Sequence, residues 1–382
     1  MKIAVIAPGA IPAQTANSIQ VMKMAQALAE GGHRVQVFAS DSGVRPSWKG
    51  LAAHYGLTQR FEIVWLPARP ALRRYDFAFA TLGTAHGWGA DLIYTRLPQA
   101  ATLAAWRGMP TIFELHDLPS GMLGPWLLRR FLRARGARRL VVNTKFLADE
   151  IRKRYRLPTQ DDFLLVASNG VDMQRYIKLP APKAARKRLG LPEGFTVGYS
   201  GHLYAGRGIR LILEFAKRLP KMRFMLAGGR PEDVAARMEQ ARGLKNVQFT
   251  GFIPNADLPL YQAACDLLLI PYSQRVSGSS GSDIARYTNP LKMFEYLASG
   301  RPVIASDLPI LREVLNEENA IVLPVGEVKA WVEALLALKR SAGRRAALAK
   351  AGRLTAAKYT WRKRAQRVLR GLTKSLTELL LG

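Results

Sequence analysis

The chain is poor in cysteine, in acidic side chains and in long apolar runs. Of 382 residues one is cysteine, Cys265. A single thiol excludes an intrachain disulfide framework and any metal site built from a cysteine cluster. Lys and Arg number 57 against 28 Asp and Glu, a formal charge of +29. A chain with that imbalance seeks anions: a nucleic acid, an anionic membrane surface or a phosphorylated substrate. No uncharged apolar run approaches the ~18 residues of a membrane-crossing helix. The apolar start, Met1 to Ala13, is interrupted by Pro8-Gly9 and Pro12 and carries only Lys2, so it reads as a buried strand, Lys2–Ala7, and not as a secretion signal. The default compartment is the cytoplasm. Several motifs are missing as well. The first strand is not followed by G-x-G-x-x-G, which argues against a nicotinamide enzyme, and there is no D-x-D, H-E-x-x-H or G-x-S-x-G.

What is present is ordinary globular composition, 48% hydrophobic and 22% charged, long enough for two or three domains. Short, continuously apolar strands are expected at Lys2–Ala7, Val35–Ala39, Phe61–Leu66, Leu92–Thr95, Thr111–Leu115, Leu140–Asn143 and Phe163–Val166. Helical stretches lie between most of them, the first capped by Asn17 or Ser18. Strands of this kind alternating with helices imply a parallel sheet covered on both faces. Residues 173–192 hold three prolines and a basic run and read as a linker. The pattern then restarts, with strands at Phe195–Tyr199, Arg223–Ala227, Val247–Thr250, Leu267–Ile270, Val303–Ala305 and Ala320–Leu323. The expected architecture is therefore α/β with two doubly wound Rossmann-like domains, 1–172 and 193–360, facing a central cleft.

Three segments offer chemistry. Gly201-His202-Leu203-Tyr204-Ala205-Gly206-Arg207-Gly208 follows a strand and enters a helix. Its glycines let backbone amides approach an anion, and Arg207 can close over a phosphate. It lacks the Lys-Ser/Thr pair of a Walker loop. An ordinary Gly-rich turn is the alternative. In Asn289 to Tyr296, Asn289 suits a helix cap and Pro290 the first helical position. The amides of Leu291 and Lys292 would be free for a ligand, and Glu295 can accept two ribose hydroxyls or instead pair with Lys292. The Ser/Gly-rich stretch Val276–Asp283 just upstream could close over a ligand. His116-Asp117 directly follows a strand, at the end of a parallel sheet where ligands bind.

These segments together resemble the family-4 glycosyltransferases of GT-B fold. Ser168–Asp172 resembles "NGVD", Gly201–Gly208 the diphosphate loop with Arg207 at the usual lysine place, and Asn246–Phe252 "NV-x-F-x-G-x". Asp266–Tyr272 and Pro290–Ser306 resemble two further family segments, so the likeness covers roughly 160–320. It implies a UDP- or GDP-type sugar donor, no cofactor and no metal. Arg207 and Lys292 would stabilise the leaving phosphate, Glu295 would hold the ribose, and His116 would orient the sugar. Gly9, Asn17, Ser18, Gly201, His202, Phe252, Tyr287, Pro290 and Leu291 would complete the donor site. The family's first acidic position is Tyr287 here, and His202 replaces a frequent arginine, so sugar identity is not inherited. The resemblance also implies retention of anomeric configuration and a C-terminal helix, 361–382, that crosses back to the first domain.

A basic amphipathic helix is expected over 126–140, where Trp126, Leu127, Leu128, Phe131 and Leu132 alternate with arginines including Arg129, Arg130 and Arg133. Such a helix either faces the core or lies on an anionic membrane. The reading is a peripheral enzyme at the inner membrane face, adding sugar to a glycan or lipid-linked acceptor in cell-surface polysaccharide or glycolipid synthesis. The rivals are a nucleotide-sugar epimerase on the same fold and a nucleic-acid-binding protein, the latter without any recognisable recognition motif.

Overall fold

The computed structural model describes residues 1–72, 74–159, 162–277 and 285–372. The chain forms two compact units: Met1–Ser168 together with the segment from Trp361, and Asn169–Thr360.

The first unit is a seven-stranded parallel sheet. Its strands are β1 (Lys2–Ala10), β2 (Arg34–Ser40), β3 (Glu62–Leu66), β4 (Leu92–Thr95), β5 (Thr111–Leu115), β6 (Ala137–Val142) and β7 (Leu164–Val166). The order is β3-β2-β1-β4-β5-β6-β7. Ile3 to Ala7 are all buried, as expected of a strand covered on both faces. The helix Ala16–Glu30 buries Val21, Met24, Ala25 and Leu28. Its cap is Thr15, whose side chain accepts from the Ser18 amide at 3.2 Å, and not Asn17 or Ser18. Ser18 instead turns its hydroxyl onto the Ala13 carbonyl at 2.7 Å. The helix Trp361–Leu369 packs on Ala16–Glu30 with Trp361, Ala365, Val368 and Leu369 buried. Residues 373–382, the rest of the expected returning helix, lie outside the described residues.

The second unit has six parallel strands, β8 (Thr196–Ser200), β9 (Arg223–Ala227), β10 (Val247–Gly251), β11 (Leu267–Ile270), β12 (Val303–Ser306) and β13 (Ile321–Leu323), in the order β10-β9-β8-β11-β12-β13. Both units are thus doubly wound, and in both the strand order reverses beside the first strand, between β1 and β4 and between β8 and β11. The stretch 173–192 is not a free linker. It contributes the helix Pro182–Arg188 to the second unit, where Tyr176 is buried, Ala185 packs with Ala263 and Ala264, and Arg186 pairs with Asp266 at 3.0 Å. Those apolar side chains give the Pro-rich segment a face to bury, and the chain passes between units at Ser168–Asn169.

Candidate active site

In the second unit the loop after β8 meets the loop after β11. The Gly208 backbone has φ +79°, and a Cβ there would lie 1.8 Å from the Pro271 carbonyl oxygen, so only glycine lets the two loops touch. The Ser273 amide donates to the Gly206 carbonyl at 2.9 Å. Arg207 donates to the Tyr272 hydroxyl at 2.8 Å and to the Ser277 carbonyl at 3.2 Å, with its guanidinium over the Tyr272 ring. The helix Leu291–Ser299 enters behind this loop, fixed by Tyr296, whose hydroxyl accepts from the Ser200 amide at 2.6 Å.

That anchor brings Lys292 against Gly201, where a Cβ would lie 2.8 Å from the lysine Nζ. The ammonium sits 3.7 Å from the centroid of the Tyr199 ring, is buried, and has no hydrogen-bond partner among the described residues. The Nε of Arg207 is likewise buried and unpartnered. Burial, and then the charge of Arg207, hold the Lys292 ammonium well below the ordinary lysine range, with Glu295 pulling the other way. Aromatic faces compensate a cation only in part. Two cations beside a Gly-rich loop, without a carboxylate between them, are an arrangement that can receive an anion.

The helix cap is Pro290 and not Asn289. The Asn289 side chain is engaged with Asn169, whose amide it accepts at 2.7 Å. Glu295 is half-buried one turn beyond Lys292 and accepts from Asn255 at 3.5 Å. It makes no ion pair among the described residues, so pairing with Lys292 is not its role. Leu291 is buried, His202 stacks on Tyr204 with ring centroids 4.6 Å apart, Phe252 is partly exposed just past β10, and Tyr287 is half-buried in a turn. Residues 278–284, most of the expected closing loop, lie outside the described residues.

In the first unit His116 follows β5, and its Nε2 meets the Glu114 carboxylate. Glu114 is wholly buried and also receives Tyr94 Oη, Gln20 Nε2 at 2.8 Å and Arg364 Nη2 at 2.8 Å. Burial raises the Glu114 carboxyl, but Arg364 and His116 outweigh it and leave the group below its usual range. For His116, burial and the charge of Arg96 outweigh the attraction of Glu114 and lower it to about 4. The ring is therefore neutral at pH 7. Its Nε2–H donates to Glu114, which leaves the Nδ1 lone pair as a hydrogen-bond acceptor. Gly9 lies near the end of β1, and Asn17 opens the following helix, where its Oδ1 accepts from Arg96 at 2.5 Å.

The sequence models of two families match the chain: "Glycosyltransferase Family 4" over residues 18–175 and "Glycosyl transferases group 1" over 194–341. The chain belongs to the family-4 glycosyltransferases. It is 29% identical to a D-inositol 3-phosphate glycosyltransferase of Salinispora tropica, over 59% of this chain and 48% of that protein. The chain spans about half the length of this and two further curated relatives. It is 21% identical to a phosphatidyl-myo-inositol mannosyltransferase of Mycobacterium leprae, over 97% of this chain and 96% of that one. Among solved structures it is similar to Anabaena HepE in complex with UDP-glucose, with TM-score 0.75 and 18% identity over 98% of this chain and 100% of that one, a likeness of fold.

Sequence reasoning about this family-4 chain missed the aromatic cage of Lys292, the counterion of Glu114 and the cation Arg96. It also mistook the helix over 126–140. The helix is Leu123–Leu132, and Arg138 and Arg139 lie on β6. Gly136 sets the turn, since a Cβ there would lie 2.4 Å from the Met109 carbonyl oxygen. Arg139 is buried and donates to the Val368 and Arg370 carbonyls at 2.5 and 3.0 Å. Leu127, Leu128 and Phe131 face the core, while Met122 and Trp126 are 95% and 49% exposed beside Arg130, which lies over the Trp126 ring. Among the described residues no helix is long and apolar enough to cross a membrane.

Proposed function

We propose that the chain transfers a sugar from a nucleoside diphosphate donor to a hydroxyl-bearing acceptor. The observation that carries this reading is the unpartnered Lys292 ammonium beside Arg207 at the switch point of the second unit. A diphosphate supplies the missing anion. As the bond from the sugar to the β-phosphate breaks, charge grows on the phosphate oxygens, and Lys292, Arg207 and the uncapped helix start at Leu291 stabilise it more in the transition state than before. Glu295 accepts the ribose hydroxyls. In the first unit neutral His116 accepts a hydrogen bond from a sugar hydroxyl through Nδ1, held in that tautomer by Glu114. The UDP-glucose bound by HepE and the sugar-transfer names of the relatives support a nucleotide sugar as donor. Retention of configuration, independence of metal and work on a glycan or lipid-linked acceptor for the cell surface belong to the same proposal. So does docking at an anionic membrane through Arg129, Arg130 and Arg133.

The test is thermal unfolding with UDP, GDP and their sugars. A ligand at about 100 times its Kd stabilises the folded state by about 2.7 kcal/mol. Glu295→Ala should lose ~1.5–3 kcal/mol of nucleotide binding, and Lys292→Met should bind nucleoside but lose the gain from the diphosphate. If no nucleotide stabilises the parent, or both variants bind like it, the donor site lies elsewhere.

A further inference from the structure

The first unit has its own switch point, between β1 and β4, and a cation stands on it. Arg96 follows β4 directly and reaches across to the helix that follows β1. There its Nη1 donates to Asn17 Oδ1 at 2.5 Å and to Gln20 Oε1 at 3.3 Å. Both are neutral amide oxygens. Among the described residues Arg96 has no carboxylate partner. The one buried carboxylate nearby, Glu114, is already taken by Arg364, with Tyr94, Gln20 and His116 filling its remaining positions. Asp117, half-buried beside His116, is turned to the amide of Leu118 at 2.8 Å. The cluster therefore sets two guanidiniums, Arg364 buried and Arg96 half-buried, against one committed carboxylate. Burial, then the charge of Arg364, bring Arg96 down to about 9, far below an ordinary arginine. A charge drawn partly out of water with no counterion is costly, and an arginine fork suits an oxyanion.

Lys292 in the second unit is comparable: a cation at the switch point, with no ion pair among the described residues, lowered by burial and by a neighbouring arginine. In open parallel sheets ligands bind at the carboxyl ends of the strands flanking such a point. His116 is neutral and offers a lone pair, which suits a hydroxyl and not an anion.

We propose that Arg96, held by Asn17 and Gln20 across the β1/β4 switch point, binds an oxyanion carried by the acceptor, either a phosphate ester or a carboxylate. This identifies the acceptor's class and rests on the reading that the second unit holds the donor.

The decisive variant is Asn17→Asp. It exchanges one amide for a carboxylate 2.5 Å from Arg96 and so supplies the counterion from within the protein. In a Lys292→Met background, which removes the phosphate receptor of the second unit, inorganic phosphate and glucuronate are titrated separately. The full chain should bind at least one of them. Asn17→Asp should weaken that binding tenfold or more while raising Tm, Arg96→Gln should abolish it, and Arg96→Lys should retain part of it. Phosphate binding alone assigns a phosphate ester, and glucuronate binding alone assigns a carboxylate. The proposal is overturned if neither anion binds, or if Asn17→Asp raises Tm and leaves anion affinity unchanged, which is the outcome for a purely structural Arg96. UDP and GDP binding, measured with Lys292 intact, reports on the donor reading independently. Anion binding at Arg96 without any nucleotide binding would remove that reading and leave this site standing as an anion site.

Discussion

Replacing Arg364 by methionine tests the account of the first unit most severely. Arg364 is 2% exposed and Glu114 not at all, and they meet at 2.8 Å. Arg364 also donates to the Tyr94 hydroxyl at 3.1 Å and to the Ala167 and Ser168 carbonyls at 3.2 Å. Removing one partner of a buried ion pair costs about 3–5 kcal/mol, because the other charge stays behind. For a unit of this size each kcal/mol shifts Tm by ~2–4 °C, so the unit should melt about 10 °C lower. The pH dependence gives a second reading. In the parent, Glu114 sits below its unfolded pKa, so its contribution is present above that value and is lost as pH falls through the lower folded one. His116, lowered to about 4, acts in the same direction, with stability falling as pH drops from about 6.5 towards about 4. In the methionine variant burial is no longer opposed by Arg364 and the Glu114 carboxyl rises, so stability should fall less steeply towards pH 5 than in the parent, with His116 still lowering it. Adding Glu114→Gln should recover much of the loss. Calorimetry of the three proteins between pH 5 and 8 is the assay. A loss below about 1 kcal/mol, or parallel pH curves for parent and single variant, would refute the account.

Nucleotide affinity should decline with rising pH well before the ordinary lysine range, since Lys292 loses its proton early, and Lys292→Met should flatten that decline; pH-resolved calorimetric titration checks it. Sugar transfer should survive EDTA, because Arg207, Lys292 and a helix start replace a divalent ion; loss restored by magnesium or manganese contradicts this. Changing Arg129, Arg130 and Arg133 together to Gln should reduce sedimentation with phosphatidylglycerol vesicles at low salt and leave UDP and GDP binding intact, and unchanged sedimentation would clear this face of the role.

The strands were legible because each is a short apolar run, and a sheet covered on both faces needs nothing else. That Lys292 and Arg207 come together was legible because a glycine loop and a helix start are both local features of the sequence. The buried charges were not. Arg364 stands in Trp361-Arg362-Lys363-Arg364, where Arg362 and Lys363 are exposed and only Arg364 is buried. Its partner Glu114 is 250 residues away. Nothing in the composition of such a run separates the cation that is buried from those that are exposed. Arg96 was missed for the same reason, since its lack of a carboxylate is a fact of three dimensions. The basic helix went wrong because arginine density is indifferent to secondary structure. Arg138 and Arg139 continued the pattern by eye, while Gly136 had already turned the chain into β6.

That correction changes the energetics of the proposed membrane contact. A helix over the whole of 126–140 would carry six arginines and a full apolar stripe to a surface. The ten-residue helix spends Leu127, Leu128 and Phe131 on its own core, where Phe131 meets Phe113 edge-on at 5.3 Å. Only Met122, Leu123 and Trp126 remain outside, at one end, with Arg129, Arg130 and Arg133. Arg129 lies over the Tyr155 ring and Arg130 over Trp126, so two of the three cations are already partly engaged. At about 1 kcal/mol per basic residue near an anionic surface, this face alone supplies roughly 3 kcal/mol, which gives reversible contact and not stable anchoring. Residues 339–382 carry 13 basic side chains against one acidic, and apart from Arg364, which is buried against Glu114, they are the next candidates for a second contact. If that segment engages the same surface, it keeps the triple arginine variant partly bound, so the variant should lose no more than about 3 kcal/mol and retain salt-sensitive vesicle binding, whereas complete release would leave the arginine face as the contact that matters.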